Sequence, residues 1–223
     1  MLERGSDYAR PRRGEMAHRI QQLSNKQEAV ALWLWEPYIP AQGLTVLAGP
    51  WSVGKTFLAL AMAAAFSHDR AVVLLTDEGD LADIVRPRLD AMGANVANVL
   101  WADTSKCRNE AQAVEWLNAN MGALIREKQA GLVIVDSVEG FVDGRATRRA
   151  LARMAELARE WGIPFLAVAA VPTGVRAMAQ SVLRLHRDGA KRVVKQTHSS
   201  VGPRGRAQAF VITSDGRMEW AAV

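Results

Sequence analysis

Apolar and polar positions along this chain follow two rhythms. Leu44 to Ala48, Ala71 to Thr76, Val99 to Ala102, Gly131 to Val135 and Pro164 to Ala170 are short, almost wholly apolar runs. Runs of that length and character predict parallel strands buried on both faces. Between them lie helical patterns. Small apolar residues follow Thr56, Leu81 to Met92 reads as a helix closed near Gly93, and Glu110 to Lys128 carries Ala113, Val114, Leu117, Met121, Leu124 and Ile125 at helical spacing. Arg145 to Trp161 places Leu151, Met154, Leu157 and Ala158 on one side and arginines on the other. Strands alternating with helices give right-handed crossovers and a mainly parallel α/β sheet flanked by helices.

Past Gln180 the rhythm changes. Ser181 to Arg187, Arg192 to Thr197, Ala209 to Thr213 and Met218 to Ala221 read as strands, joined by the hairpin signals Asp188-Gly189 and Asp215-Gly216. They predict a C-terminal antiparallel β extension. At the other end, residues 1 to about 14 read as a mobile arm, and Glu15 to Leu34 as a helix running into Trp33-Leu34-Trp35 and stopped by Pro37 and Pro40. The expected division is an N-terminal arm over 1–28 and one domain over 29–223.

Composition narrows this further. A chain of 223 residues suits one α/β domain, and no uninterrupted apolar run reaches the roughly 20 residues that cross a bilayer. Cys107 is the only cysteine, so neither an internal disulfide nor a cysteine-based zinc site is expected. With no secretory pattern at the start, the expectation is a cytoplasmic protein without a membrane partner. His18, His68, His186 and His198 have no spacing that suggests a metal site. The net charge of +5 is concentrated C-terminally, where Arg176, Arg184, Arg187, Lys191, Arg192, Lys195, Arg204 and Arg206 cluster. Such a patch suits nucleic-acid phosphates or a neighbour's nucleotide, and equally a solvated surface.

The chemistry centres on Gly49-Pro50-Trp51-Ser52-Val53-Gly54-Lys55-Thr56, followed by Phe57. This is the phosphate-binding pattern G-x-x-x-x-G-K-[ST], with a strand before it and a helix after it, as the pattern requires. Backbone N–H groups of a glycine-containing loop can close around a polyanion, and the helix adds its positive end. Lys55 supplies a charge to the outer phosphates and Thr56 a hydroxyl to Mg2+. Asp136 closes a hydrophobic strand downstream, where a second Mg2+-ordering carboxylate belongs. Glu78, at the end of a strand expected beside the phosphate loop, is the candidate base for the attacking water, with Asp77 as the alternative. Asp77, Glu78, Asp80 and Asp83 also precede a predicted helix, where acids are favourable without any catalysis.

Taken in order, WLWEPYIPAQGLTVLAGPWSVGKT, LLTDEGD, DIVRPRLDAMGA and LVIVDSV resemble the RecA-like P-loop ATPases of the hexameric replicative helicase type. The likeness is greatest to the plasmid RepA helicase branch, also called AAA_25, over about residues 33 to 220. The resemblance implies ATP and Mg2+ at the interfaces of a homo-oligomeric ring of six, and single-stranded DNA in its channel. It also implies a catalytic Glu78 and a basic finger reaching the neighbour's γ-phosphate, at Lys195 or else Arg204 or Arg206. The sequence departs from the family at Ala169, Ala170 and Val171, where a polar sensor is usual, at Gln180, where a helical arginine is usual, and in the short segments after Asp136 and Pro172. The expected function is an ATP-hydrolysing motor acting on DNA. The alternative is a non-translocating ATP-binding assembly or regulatory protein.

Overall fold

The strands are β1 (Trp33–Trp35), β2 (Ile39–Pro40), β3 (Gly43–Ala48), β4 (Ala71–Thr76), β5 (Val99–Trp101), β6 (Ala130–Asp136), β7 (Pro164–Ala169), β8 (Ser181–Asp188), β9 (Lys191–Ser199), β10 (Gln208–Ile212) and β11 (Met218–Ala221). The α-helices are α1 (Lys55–Phe66), α2 (Arg86–Ala91), α3 (Glu110–Lys128), α4 (Val138–Phe141) and α5 (Thr147–Trp161), with a π-helical turn, Leu81–Val85, leading into α2. The computed structural model describes residues 32–76, 81–101, 110–142, 146–170 and 174–223, so the expected arm over 1–28 lies outside the described residues.

β3 to β11 form a nine-stranded sheet in the order β11-β10-β9-β8-β3-β7-β6-β4-β5. Pairing is parallel from β8 through to β5. β9, β10 and β11 then continue the sheet antiparallel. The antiparallel extension therefore starts one strand later than the change of rhythm at Gln180, because β8 lies parallel against β3 before it turns into β9. The mainly parallel sheet with its antiparallel C-terminal strands is the fold expected from the sequence.

Alternate residues of each central strand feed opposite sides of the sheet, the period-two geometry of a strand. Val73 and Leu75 join Val133, Val135, Phe165 and the inner face of α5, with Leu151, Met154 and Leu157, in one core cluster. Val72 and Leu74 join Leu132, Ile134 and α1, with Leu58, Leu60 and Met62, in the other. Because each face is covered by helices, the strands carry no polar alternation, which is why they read as continuous apolar runs. α1 is apolar nearly all round, and seven of its residues, including Lys55, are buried.

Of the helix expected over Glu15 to Leu34, residues 15–31 lie outside the described residues, and its end is not helical. Trp33–Trp35 is a strand paired antiparallel with Ile39–Pro40. Pro37 disfavours helical geometry at the residue before it, Glu36, and the Trp-Leu-Trp alternation suits an extended ladder. The aromatic rings then close over the C-terminal strands, with Trp35 4.3 Å from Tyr38 and 5.5 Å from Trp220 between centroids. Trp33 and Trp35 thus sit on a strand, not at the end of a helix, whereas Trp101 and Trp220 stand on strands as expected.

Candidate functional site

β3 is the central strand of the nine-stranded sheet, and the phosphate loop leaves its carboxyl end. The Gly49 N–H donates to the Ala170 carbonyl at 2.7 Å, tying the loop to the end of β7. A Cβ on Gly49 would lie 2.5 Å from the Leu185 carbonyl oxygen, so β8 leaves no room for a side chain. At the far end Gly54 has φ 98° and caps α1, a conformation costly for any residue with a Cβ. The loop thus delivers Lys55 as the first residue of the helix, with the unpaired amides of its first turn facing the same side.

The Lys55 side chain is 7% exposed. Its Nζ donates to the Gly49 carbonyl at 2.9 Å and to the Pro50 carbonyl at 2.8 Å, and lies 5.5 Å from the centroid of the exposed Trp51 ring. Burial pulls the ammonium below the ordinary lysine value, and the Asp136 and Glu139 carboxylates oppose that shift.

Lys55, Thr56, Asp136 and Ser137 share one pocket of about 620 Å³, whose walls include Trp51 and Phe57. Its size falls within the range of ordinary ligand sites. Asp136, at the end of β6, is buried. The Thr56 hydroxyl and the Asp136 carboxylate are hard oxygen donors, the set that Mg2+ takes, so the residues fit that ion. Two of the expected elements, the loop with Lys55-Thr56 and the downstream acid, are brought together across β7.

Glu78 and Asp77 lie outside the described residues. The strand that precedes them, β4, does not lie beside the phosphate loop as expected: β7 and β6 separate it from β3. Sequence neighbours need not be sheet neighbours, because each crossover helix can carry the chain past a strand. Thr76, the last residue of β4, is instead the register partner of Asp136.

At the end of β7, Ala169 is buried, the Ala170 N–H donates to Glu139 Oε1 at 2.8 Å, and Val171 lies outside the described residues. Gln180, expected in a helix, stands directly before β8. Its Oε1 accepts from the Leu44 N–H at 2.7 Å, and its own N–H donates to the Leu44 carbonyl at 2.8 Å, so it pins β8 to β3.

Neither Lys195 nor Arg204 nor Arg206 lines the phosphate pocket. Lys195 lines a recess of about 330 Å³ with Gly49, Pro50, Arg184 and His186. Arg204 and Arg206 border a recess of about 730 Å³ walled by Trp35, Tyr38 and Trp220.

Two arginines line the phosphate pocket that the sequence did not assign to it, Arg88 unremarked and Arg192 named only in the C-terminal basic cluster, and Glu139 stands close by. Arg88 of α2 and Arg192 of β9 line it with Ile212, and the Arg88 guanidinium lies 4.5 Å from the centroid of the Phe57 ring. Glu139, three residues past Asp136, has one carboxylate oxygen on the Ala170 amide and the other buried without a partner among the described residues. The Asp136-to-Glu139 spacing was visible in the sequence. The arginines carried no local signal, since they come from distant elements.

A phosphate loop on a central strand, an acid two strands away and this strand order define a RecA-like P-loop ATPase. A family model described as AAA domain, AAA_25, matches residues 10–172, and the chain belongs to that family. The match begins before and ends well short of the expected span of 33 to 220, so β8 to β11 lie beyond it. No curated protein sequence matches the chain. The fold is similar to the crystal structure of KaiC-like protein PH0186 from the hyperthermophilic archaeon Pyrococcus horikoshii OT3. The TM-score is 0.65 at 15% identity, over 82% of this chain and 92% of that one. Among the described residues no helix is long and apolar enough to cross a membrane.

Proposed function

We propose that this chain is a Mg2+-dependent ATP hydrolase that acts on DNA as an oligomeric ring, hydrolysing ATP at its subunit interfaces in the manner of replicative helicases. The observation that supports it best is the convergence of Lys55, Thr56 and Asp136 on one pocket at the carboxyl ends of parallel strands. The loop amides and Lys55 bind the phosphates, and Thr56 and Asp136 would hold Mg2+, which when bound neutralises charge on the outer phosphates. Glu78, following the strand whose last residue pairs with Asp136, accepts the proton of the attacking water. Lys195, Arg204 and Arg206 stand outside the chain's own phosphate pocket, which suits a finger that serves the neighbouring subunit.

A second reading is favoured by the end of β7. Ala169 and Ala170 offer no side-chain hydrogen bond to a γ-phosphate, as expected for a non-translocating, ATP-binding assembly or regulatory protein with little turnover. ATP turnover with and without single-stranded DNA, beside Lys55→Ala and Glu78→Gln, and mass measured in ATP, separate the two. Stimulation by DNA and loss of turnover in both variants support the motor. An ATP-driven change of mass with turnover indifferent to DNA supports the assembly protein.

A further inference from the structure

We infer that Arg192 grips the inner, nucleoside end of the bound nucleotide from within the same chain; the inference rests on the nucleotide reading above.

The strand order carries the first step. β6, with Asp136, lies two strands to one side of β3, and β9, with Arg192, two strands to the other. Both reach the phosphate pocket, so it spans from the acid that orders the metal to the arginine on the far side of the loop. Thr56 and Asp136 mark the outer-phosphate end, which leaves the inner phosphate and the nucleoside to the side of Arg192 and Ile212.

The second step is local. Arg192 and Ile212 flank Gly54: a Cβ built there would lie 3.2 Å from Ile212 Cδ1, 3.6 Å from Arg192 Cγ and 3.8 Å from Arg192 Nε. Arg192 Nη1 donates to the Ala190 carbonyl of its own hairpin at 2.6 Å, whereas Nε is buried and has no acceptor among the described residues. A buried guanidinium N–H without an acceptor is costly, and a phosphate or ribose oxygen entering the pocket removes that cost. Period-two alternation puts Lys195, three residues along β9, on the opposite face of the sheet, where it lines a different recess. Arg192, not Lys195, is therefore the β9 cation that faces the chain's own nucleotide.

The test is equilibrium binding of ADP and of ATP, with Mg2+, to wild type, Arg192→Ala and Arg192→Lys, with thermal melts beside each. Wild type should bind both. Arg192→Ala should weaken ADP and ATP alike, by about tenfold, the equivalent of ~1.4 kcal/mol. Arg192→Lys, which keeps the charge but not the fork, should fall between and serves as the readout if Arg192→Ala melts early. Adding Lys55→Ala chains, whose Arg192 is intact, should not restore binding. Unchanged affinity in both variants overturns the inference, as does a loss confined to ATP, which would place Arg192 at the outer phosphate. Rescue by the added chains overturns the same-chain contact. Wild type that binds neither nucleotide overturns the nucleotide reading itself, an outcome distinct from all of these.

Discussion

Lys55 donates to the carbonyl of Gly49, 2.9 Å away, so the lysine meant for the outer phosphates is bonded to the first residue of the loop that delivers it. An entering phosphate competes with that carbonyl and with Pro50 for the same N–H groups. Lys55→Met should therefore abolish ATP binding, by about a hundredfold or more in Kd, given ~1.5–3 kcal/mol for each charged hydrogen bond.

The same lysine makes a pH prediction. Its folded value is lowered by burial from 10.5, so the folded chain holds that proton less tightly than the unfolded one. The resulting destabilisation is fully present below the folded value and fades as pH rises through it towards the unfolded one. The melting temperature of Lys55→Met minus that of wild type, followed from about pH 7 to about pH 10, should fall steadily. A difference that stays flat or grows contradicts the sign.

Gly49→Ala tests the loop's close approach to β8. A methyl group 2.5 Å from the Leu185 carbonyl must push β8 away or move the loop, either of which disturbs the β3–β8 pairing. The expected destabilisation is about 1–3 kcal/mol with weakened ATP binding, measured by denaturant unfolding and titration. Gly189→Ala, at a hairpin where a Cβ meets nothing within 4 Å, should leave ATP binding unchanged.

What the sequence made legible follows from what was local. The phosphate loop, the strand ending at Asp136 and the hairpins at Asp188-Gly189 and Asp215-Gly216 each carry their signal within a few residues, and each stands where expected. Misreadings arose where distant pairing decides. Trp33 and Trp35 extend because Pro40 and Ile39 pair with them, Gln180 is occupied by Leu44, and the position of β4 depends on which strands the crossovers skip. Arg88 and Arg192 reach the pocket only through the three-dimensional strand order.

Glu139 stands where two carboxylate functions meet. Oε1 accepts from the Ala170 N–H at 2.8 Å, and the Ala170 carbonyl in turn accepts from Gly49 at 2.7 Å, so Glu139 is one bond removed from the phosphate loop. Glu139→Ala leaves that amide without its acceptor and should cost about 1–3 kcal/mol with a loss of ATP affinity. Glu139→Gln keeps an oxygen for the amide and should largely preserve both. Equal effects in the two variants, by melting and titration, would show that charge, not the bond to Ala170, is what matters there.

The arginines beside the Trp35–Tyr38–Trp220 cluster lead to a different kind of test. Arg204 and Arg206 border the aromatic recess and Lys195 lines another, so none lines the phosphate pocket of its own chain, and the ring proposed above gives them a part in hydrolysis only on a neighbour. Alanine at the residue that acts as the finger should abolish turnover, as Lys55→Ala should. Mixed in equal amounts, the two inactive chains place an intact loop beside an intact finger at roughly a quarter of interfaces, and turnover should return to about that fraction of wild type. A mixture that stays inactive for all three residues removes the finger in trans; recovery with one of them identifies it.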